Sequence, residues 1–263
     1  MSKTNEFQVL HPNAAGIDIS SKEHFVAVSP TVDANPIRRF GSFTEDLESI
    51  VNWLRECKVD TIAMESTGIY SLSLFLLLES SGFDVVLVNA KHTKNVSGKK
   101  TDEADAEWIR RLHSCGLLSS SFQPDAFTRT LRTYMRHRKN YIQLSATHIR
   151  LMHKALEQMN IKLQHVITDI TGKTGQDIIM SILKGERNPE VLASLSEKRI
   201  RASKRPDIIK SLNAVWKEEH IFELEQSYST YQFYQQKIKE CDKKIESHLQ
   251  KKVTENESND LDI

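Results

Sequence analysis

One short run constrains the fold of this chain more than any other. Ala14-Ala15-Gly16-Ile17-Asp18-Ile19-Ser20 reads as a buried strand carrying a single acid. An ionised carboxylate among apolar neighbours is costly unless a cation or hydrogen-bond donors compensate it. Alternation along the strand puts Ile17 and Ile19 on one side and Asp18 on the other, toward wherever the sheet is open.

The segments that follow fit a sheet built around this strand. His24 to Ser29 suits a second strand, and a turn at Pro30 to Pro36 leads to a third around Ile37 to Phe43. Three short strands in a row predict an antiparallel meander. Thr44 is expected to cap a helix with Glu45 and Asp46 in its first turn, and Leu47, Ile50, Val51 and Leu54 recur at helical spacing. A fourth strand ends at Glu65, a helix covers Gly68 to Ser80, and Asp84 to Val88 is a fifth strand. A basic loop from Lys91 to Lys100 precedes a helix capped by Thr101 and stopped at Gly116. The order β-β-β-α-β-α-β-α is the pattern of an α/β ribonuclease H-like fold.

The composition changes near Pro124, and no convincing strand follows. The pattern predicts one long helix from Thr128 to about Ile167, short helices near 176–184 and 206–216, and a second long helix from about Glu219 to Lys252. In the last, Leu224, Tyr228, Tyr231, Ile238, Ile245 and Leu249 keep 3-4 spacing, with Gln235 and Asp242 as polar interruptions. That is a coiled-coil seam, closed by the other long helix or by a second protomer. The expected organisation is a flexible N-terminus (1–13), an α/β domain (14–124), an all-α coiled-coil region (125–252) and a disordered acidic tail (253–263).

Composition excludes more than it assigns. The 263 residues carry a formal net charge of +1, an average over segments of opposite sign that leaves a nucleic-acid partner open. Cys57, Cys115 and Cys241 are far apart and in no metal or disulfide spacing. The first residues lack a signal-peptide pattern, and the most apolar run, Leu74 to Leu78, is too short to span a bilayer. A cytoplasmic protein without a membrane partner is the expectation. The chain has no P-loop, GxGxxG, HExxH or GxSxG pattern.

Two sets of residues carry candidate chemistry. The first is Asp18, Glu65 at the C-terminal end of its strand, and Asp102 and Asp105, three apart in a helix and so on one face. All-oxygen donors suit a hard divalent cation. On spacing alone, Asp102 and Asp105 also fit a solvated pair serving the helix dipole, and Glu65 also fits a cap for the next helix. The second set is basic. Lys91, Lys94, Lys99 and Lys100 lie in an acid-free loop. Ala126 to Leu156 holds Arg129, Arg132, Arg136, Arg138, Lys139, Arg150 and Lys154 with no Asp or Glu, a composition suited to tracking a nucleic-acid backbone. Tyr134 and Tyr141 are placed to stack on bases or to pack in a core. Lys198, Arg199, Arg201, Lys204 and Arg205 form a shorter basic cluster, equally readable as a solvated loop.

The strings GIDIS, AMESTGIY and VVLVNAKHTKNVSGKKTDEADAEWIRRL, followed by the basic helix, resemble the insertion-sequence transposases of the IS-one-ten family, including Piv-type DNA invertases. The resemblance spans roughly residues 14 to 250, and its most specific element is KTDEADAEWI. It implies a RuvC-like domain with an Asp-Glu-Asp-Asp catalytic and metal site at Asp18, Glu65, Asp102 and Asp105, using Mg2+ (a two-ion site, with Mn2+ as a substitute). It also implies DNA as substrate, a structured guide RNA, and a dimer or tetramer. In that family a C-terminal domain with a serine nucleophile follows the coiled coil; the chain ends at Ile263, and no serine in it takes that role. The expectation is a DNA transposase or recombinase that does not complete recombination alone. The alternative is a non-catalytic nucleic-acid-binding fragment that co-assembles with or inhibits the full-length enzyme. GIDIS also resembles the phosphate loop of actin-like kinases, but that fold needs a second such loop where this chain supplies helices.

Overall fold

A computed structural model describes residues 8–66, 68–89 and 101–260. The chain forms two compact units, Met1–Gln123 and Pro124–Ile263.

The first unit is built on a five-stranded mixed sheet. Strands β1 (Ala14–Ile19), β2 (Glu23–Ala27) and β3 (Ile37–Gly41) form the antiparallel meander, while β4 (Thr61–Glu65) and β5 (Asp84–Val88) add in parallel on the other side of β1. The order is β3-β2-β1-β4-β5, so the strand carrying Asp18 is central. Among the described residues, helices α1 (Thr44–Glu56), α2 (Tyr70–Ser80) and α3 (Asp102–Ser114) flank the sheet. The main core joins Ala15, Ile17 and Ile19 to Ile50, Leu54, Leu74 and Leu78, so α1 and α2 cover the face that the odd-numbered β1 residues present. This is the ribonuclease H-like α/β arrangement expected from the element order.

Local caps explain the boundaries. The start of α1 lies one residue before the expected cap: Phe43 is the N-cap, and its backbone N–H donates to Asp46 Oδ2 at 3.1 Å. Thr101 caps α3 as expected, its Oγ1 accepting from the Ala104 N–H at 3.2 Å. At the other end Gly116, at φ 68, lets its own N–H reach the His113 carbonyl and that of Leu117 reach the Leu112 carbonyl. This reversal requires a left-handed residue.

The second unit is all helical. Helix α4 (Ala126–Gln158) starts on Asp125, whose carboxylate accepts from the Thr128 N–H. A 3-10 turn (Leu163–His165) and helices α5 (Lys173–Leu183), α6 (Pro189–Ser194), α7 (Lys198–Ser211) and α8 (Glu218–Asp260) follow. Helix α4 is shorter than its periodicity suggested. Asn160 adopts φ 60, its N–H bonds the Glu157 carbonyl and that of Ile161 bonds the Leu156 carbonyl, which terminates the helix. The basic cluster beginning at Lys198 is helical, not a loop. Helix α8 runs to Asp260, through part of the tail expected to be disordered.

Helices α4 and α8 pack antiparallel. Buried Ser145 accepts from Gln235 Nε2 at 2.9 Å, Arg138 pairs with Asp242, and His248 Nε2 meets the Phe127 carbonyl at 2.9 Å. The two polar interruptions of the α8 seam therefore have polar partners across it. Leu224, Tyr228 and Tyr231 enter a core with Met152, Leu156, Ile178, Ile182 and Leu212, whereas Leu249 is 45% exposed.

Candidate active site

The site begins with Gly16. A Cβ at this position would lie 2.2 Å from the Arg110 backbone nitrogen and 2.4 Å from the Ala106 carbonyl oxygen. The backbone of α3 therefore rests directly on β1, on the face opposite the main core, and only glycine permits it. Asp18 is two residues along the same strand and points to the same face. The first turn of α3 brings in Asp102 and Asp105.

The far end of α3 is pinned independently. Buried His113 sets Nε2 2.9 Å from Thr61 Oγ1, which lies 3.2 Å from Asp84 Oδ2. The hydroxyl donates to the carboxylate and accepts from the ring N–H, so all three groups are served. His11 stacks on His113 with ring centroids 5.2 Å apart. Burial, reinforced by the nearby His11, lowers the His113 pKa to about 4.

Asp18, Asp102 and Asp105 each present a carboxylate oxygen, and the three oxygens lie within 4.8 Å of one another. Asp18 and Asp105 are half-buried and Asp102 is exposed. Glu65 is not in that tight group, but parallel pairing of Ile17 with Met64 makes it the next residue on β4 as Asp18 is on β1. Its charge reaches Asp18. The Asp18 pKa is raised to about 6, first by burial, then by the charges of Glu65, Asp102 and Asp105, with the Ile19 N–H opposing.

A donor set made only of carboxylate oxygens, crowded enough to hold a proton on one of them near neutrality, fits a hard divalent cation. The same arrangement would repel an anionic substrate without one. Arg110 does not relieve the crowding as a free cation, because its guanidinium donates to both carboxylate oxygens of Glu107, at 2.7 and 2.8 Å.

A family model described as Transposase, of the DEDD type of the IS110 (IS-one-ten) insertion sequences, matches residues 15–161, more than half of the chain. The chain belongs to the IS110 transposase family. The match opens on β1 and closes just past the end of α4, so it contains Asp18, Glu65, Asp102 and Asp105. No curated protein matches the chain. An IS110-type transposase acts on DNA, and its DEDD domain implies dependence on a divalent metal. Among the described residues, no helix is long and apolar enough to cross a membrane.

The basic residues divide by position. Lys91, Lys94, Lys99 and Lys100 lie outside the described residues. On α4 of this transposase, Arg132, Arg136, Lys139, Arg150 and Lys154 are exposed. Arg129 turns back to the Pro124 carbonyl at 2.9 Å, and Arg138 is engaged by Asp242. Arg132, Arg136 and Lys139 line a groove floored by Met135, Ile142 and Ile245. The sequence reading did not include Lys237, Lys243 and Lys244, which α8 places alongside Tyr134 and Tyr141. Their signal was present as a lysine-rich stretch over 237–252, within a helix in which acids outnumber lysines.

Proposed function

We propose that the α/β unit is the metal-dependent DNA-cleaving half of a transposase, with Asp18, Asp102 and Asp105 as direct ligands of Mg2+ and Glu65 completing the acidic site. The convergence of three carboxylates from β1 and α3, in a chain of the IS110 family, carries this reading. Bound there, divalent ions about 4 Å apart would activate an attacking oxygen and stabilise a leaving one at a phosphodiester. Mn2+ serves the same ligands.

The protein's own contribution is positional. The close approach at Gly16 fixes α3, the Thr101 cap fixes its first turn, and the His113–Thr61–Asp84 contacts fix its last turn. The carboxylates are thus held against their mutual repulsion before any cation arrives. Arg132, Arg136 and Lys139, with Arg150 and Lys154 further along α4, hold nucleic-acid phosphates. The strand being cut is DNA, the guide is a structured RNA, and the working form is a homo-oligomer assembled through the long helices.

Calorimetric titration of the full chain with MgCl2 and MnCl2 tests the centre. Asp18→Ala and Asp105→Ala are each expected to lower the affinity at least tenfold while circular dichroism stays unchanged. Equal divalent binding by the parent and both variants would overturn the assignment.

A further inference from the structure

The end of the α4–α8 hairpin away from its apolar core has a composition unlike the rest of the chain. Residues 126–145 and 231–253 together carry eleven Lys or Arg against three Asp or Glu, in a chain whose net charge is only +1. Of those three acids, Asp242 is engaged by Arg138, and Glu240 by Lys237 at 2.9 Å. The field over this surface is strongly positive.

Aromatic rings lie within the same surface. His137 and Tyr141 have centroids 6.2 Å apart, Tyr141 and Tyr234 are 6.0 Å apart, and Tyr234 and His148 are 5.6 Å apart, with interplanar angles of 32°, 34° and 33°. The rings thus form a tilted ladder along the seam. None belongs to the apolar core of the unit, and His137 is exposed. Tyr134, His137 and Tyr141 from α4 line a groove of about 590 Å3 whose opposite wall holds Lys237, Lys243 and Lys244 from α8. Rings that only filled space between two helices would be covered; His137 is exposed, Tyr141 is half-buried, and both open into a groove with ammonium groups on its rim.

The geometry points to a stacking platform for unpaired nucleotides: bases lie on the Tyr141 and His137 rings, and their phosphates are held by Lys243 and Lys244. A duplex hides its base faces, so it would use the lysines and not the rings. A second copy seated in this groove would bring like charge against like charge, so contacts between protomers through the long helices would use other parts of them. The inference deepens the nucleic-acid reading of α4 given above and rests on it, but it names a different groove from that of Arg132, Arg136 and Lys139.

The test is fluorescence anisotropy on the full chain across a salt series, with labelled oligouridylate RNA, a DNA oligothymidylate of equal length, and a DNA duplex. Tyr141→Ala is expected to weaken single-strand binding about tenfold and to leave duplex binding within about twofold of the parent. Tyr141→Phe keeps the ring and is expected to restore single-strand affinity. Replacing Lys243 and Lys244 together by Gln is expected to flatten the single-strand salt dependence by roughly one to two units of slope. The two single strands distinguish the sources: tighter RNA binding identifies an unpaired part of an RNA as occupant, tighter DNA binding a displaced DNA strand. Salt-dependent binding that ignores Tyr141→Ala, or a loss shared equally by the duplex, overturns the platform alone. Absence of salt-dependent binding to every oligonucleotide overturns the underlying nucleic-acid reading as well.

Discussion

The backbone nitrogen of Arg110 lies 2.2 Å from the point where a Cβ on Gly16 would stand. Strand β1 and helix α3 thus meet backbone to backbone, and the carboxylates of Asp102 and Asp105 reach Asp18 because nothing stands between the two elements. Gly16→Ala is therefore expected to cost more than an exposed substitution, about 2–4 kcal/mol, since overpacking against backbone cannot be relieved by a rotamer change. Divalent affinity should fall with it, by tenfold or more. Chemical denaturation and calorimetry on the variant measure the two effects, and parent-like stability would show that α3 can lift off at no cost.

Asp18 predicts a pH dependence with a definite sign. Its folded pKa, about 6, exceeds the ordinary value of 3.8. The folded state then holds a proton that the unfolded chain has released, so this group favours folding least above pH 6 and most below pH 4. Between those limits, raising the pH of the metal-free protein withdraws its contribution. Asp18→Asn removes that term and should stabilise the metal-free protein at pH 7, by on the order of 1–2 kcal/mol once solvent screening is allowed for. Urea denaturation in chelator from pH 4 to 8 compares the two; identical pH profiles would mean that neither burial nor the neighbouring carboxylates raise the Asp18 pKa.

His113 acts in the other direction. Its folded pKa, about 4, lies below the ordinary 6.5. The unfolded state takes up the proton first as pH falls, so stability is complete above pH 6.5 and is lost progressively down to pH 4. His113→Gln should lose the stacking with His11 and cost about 1–3 kcal/mol at pH 7, yet show a flatter profile between pH 4 and 6.5. Ring proton shifts titrating near 6.5 in the folded parent would contradict this.

Arg132, Arg136 and Lys139 share an exposed face of α4, and none is needed by the hairpin seam. Replacing all three by Ala is expected to leave the thermal midpoint within about 2 °C, because exposed substitutions are near neutral. The slope of log affinity against log salt for duplex DNA should fall by roughly 2 to 3. An unchanged slope would remove this face from the nucleic-acid surface.

Much of the fold was legible because its signals are local. Alternation in β1 and β2, the Thr101 cap and the Gly116 stop each depend on a few adjacent residues. The end of α4 was not legible, because Asn160 in a left-handed conformation leaves the apolar periodicity intact on both sides. The cluster at Lys198 was equally readable as a solvated loop because charge alone does not set conformation, and α7 carries it as helix with Pro206 within its length. At the candidate site, Asp18 was conspicuous from its apolar flanks. Asp102 and Asp105 had the appearance of ordinary first-turn acids until the motif was considered. What brings them to Asp18 is the missing side chain of Gly16, and the sequence shows only a glycine in a strand, not the helix that fills its place. Lys237, Lys243 and Lys244 were obscured because α8 interleaves them with acids, and only the fold shows them beside the rings of α4.

The separation of Asp18 from α3 along the chain has a consequence for synthesis. Helix α1, strand β4, helix α2 and strand β5 all intervene between the first carboxylate and the last two. A nascent chain that has emerged only as far as β5 carries Asp18 and Glu65 but no Asp102 or Asp105. Such a chain lacks the converging carboxylates and the cover over Gly16, however long the ribosome pauses. The cluster of Asp18, Asp102 and Asp105 therefore comes into being only once α3 has cleared the exit tunnel and settled on the sheet, so a product terminated before α3 presents no such set of converging carboxylates.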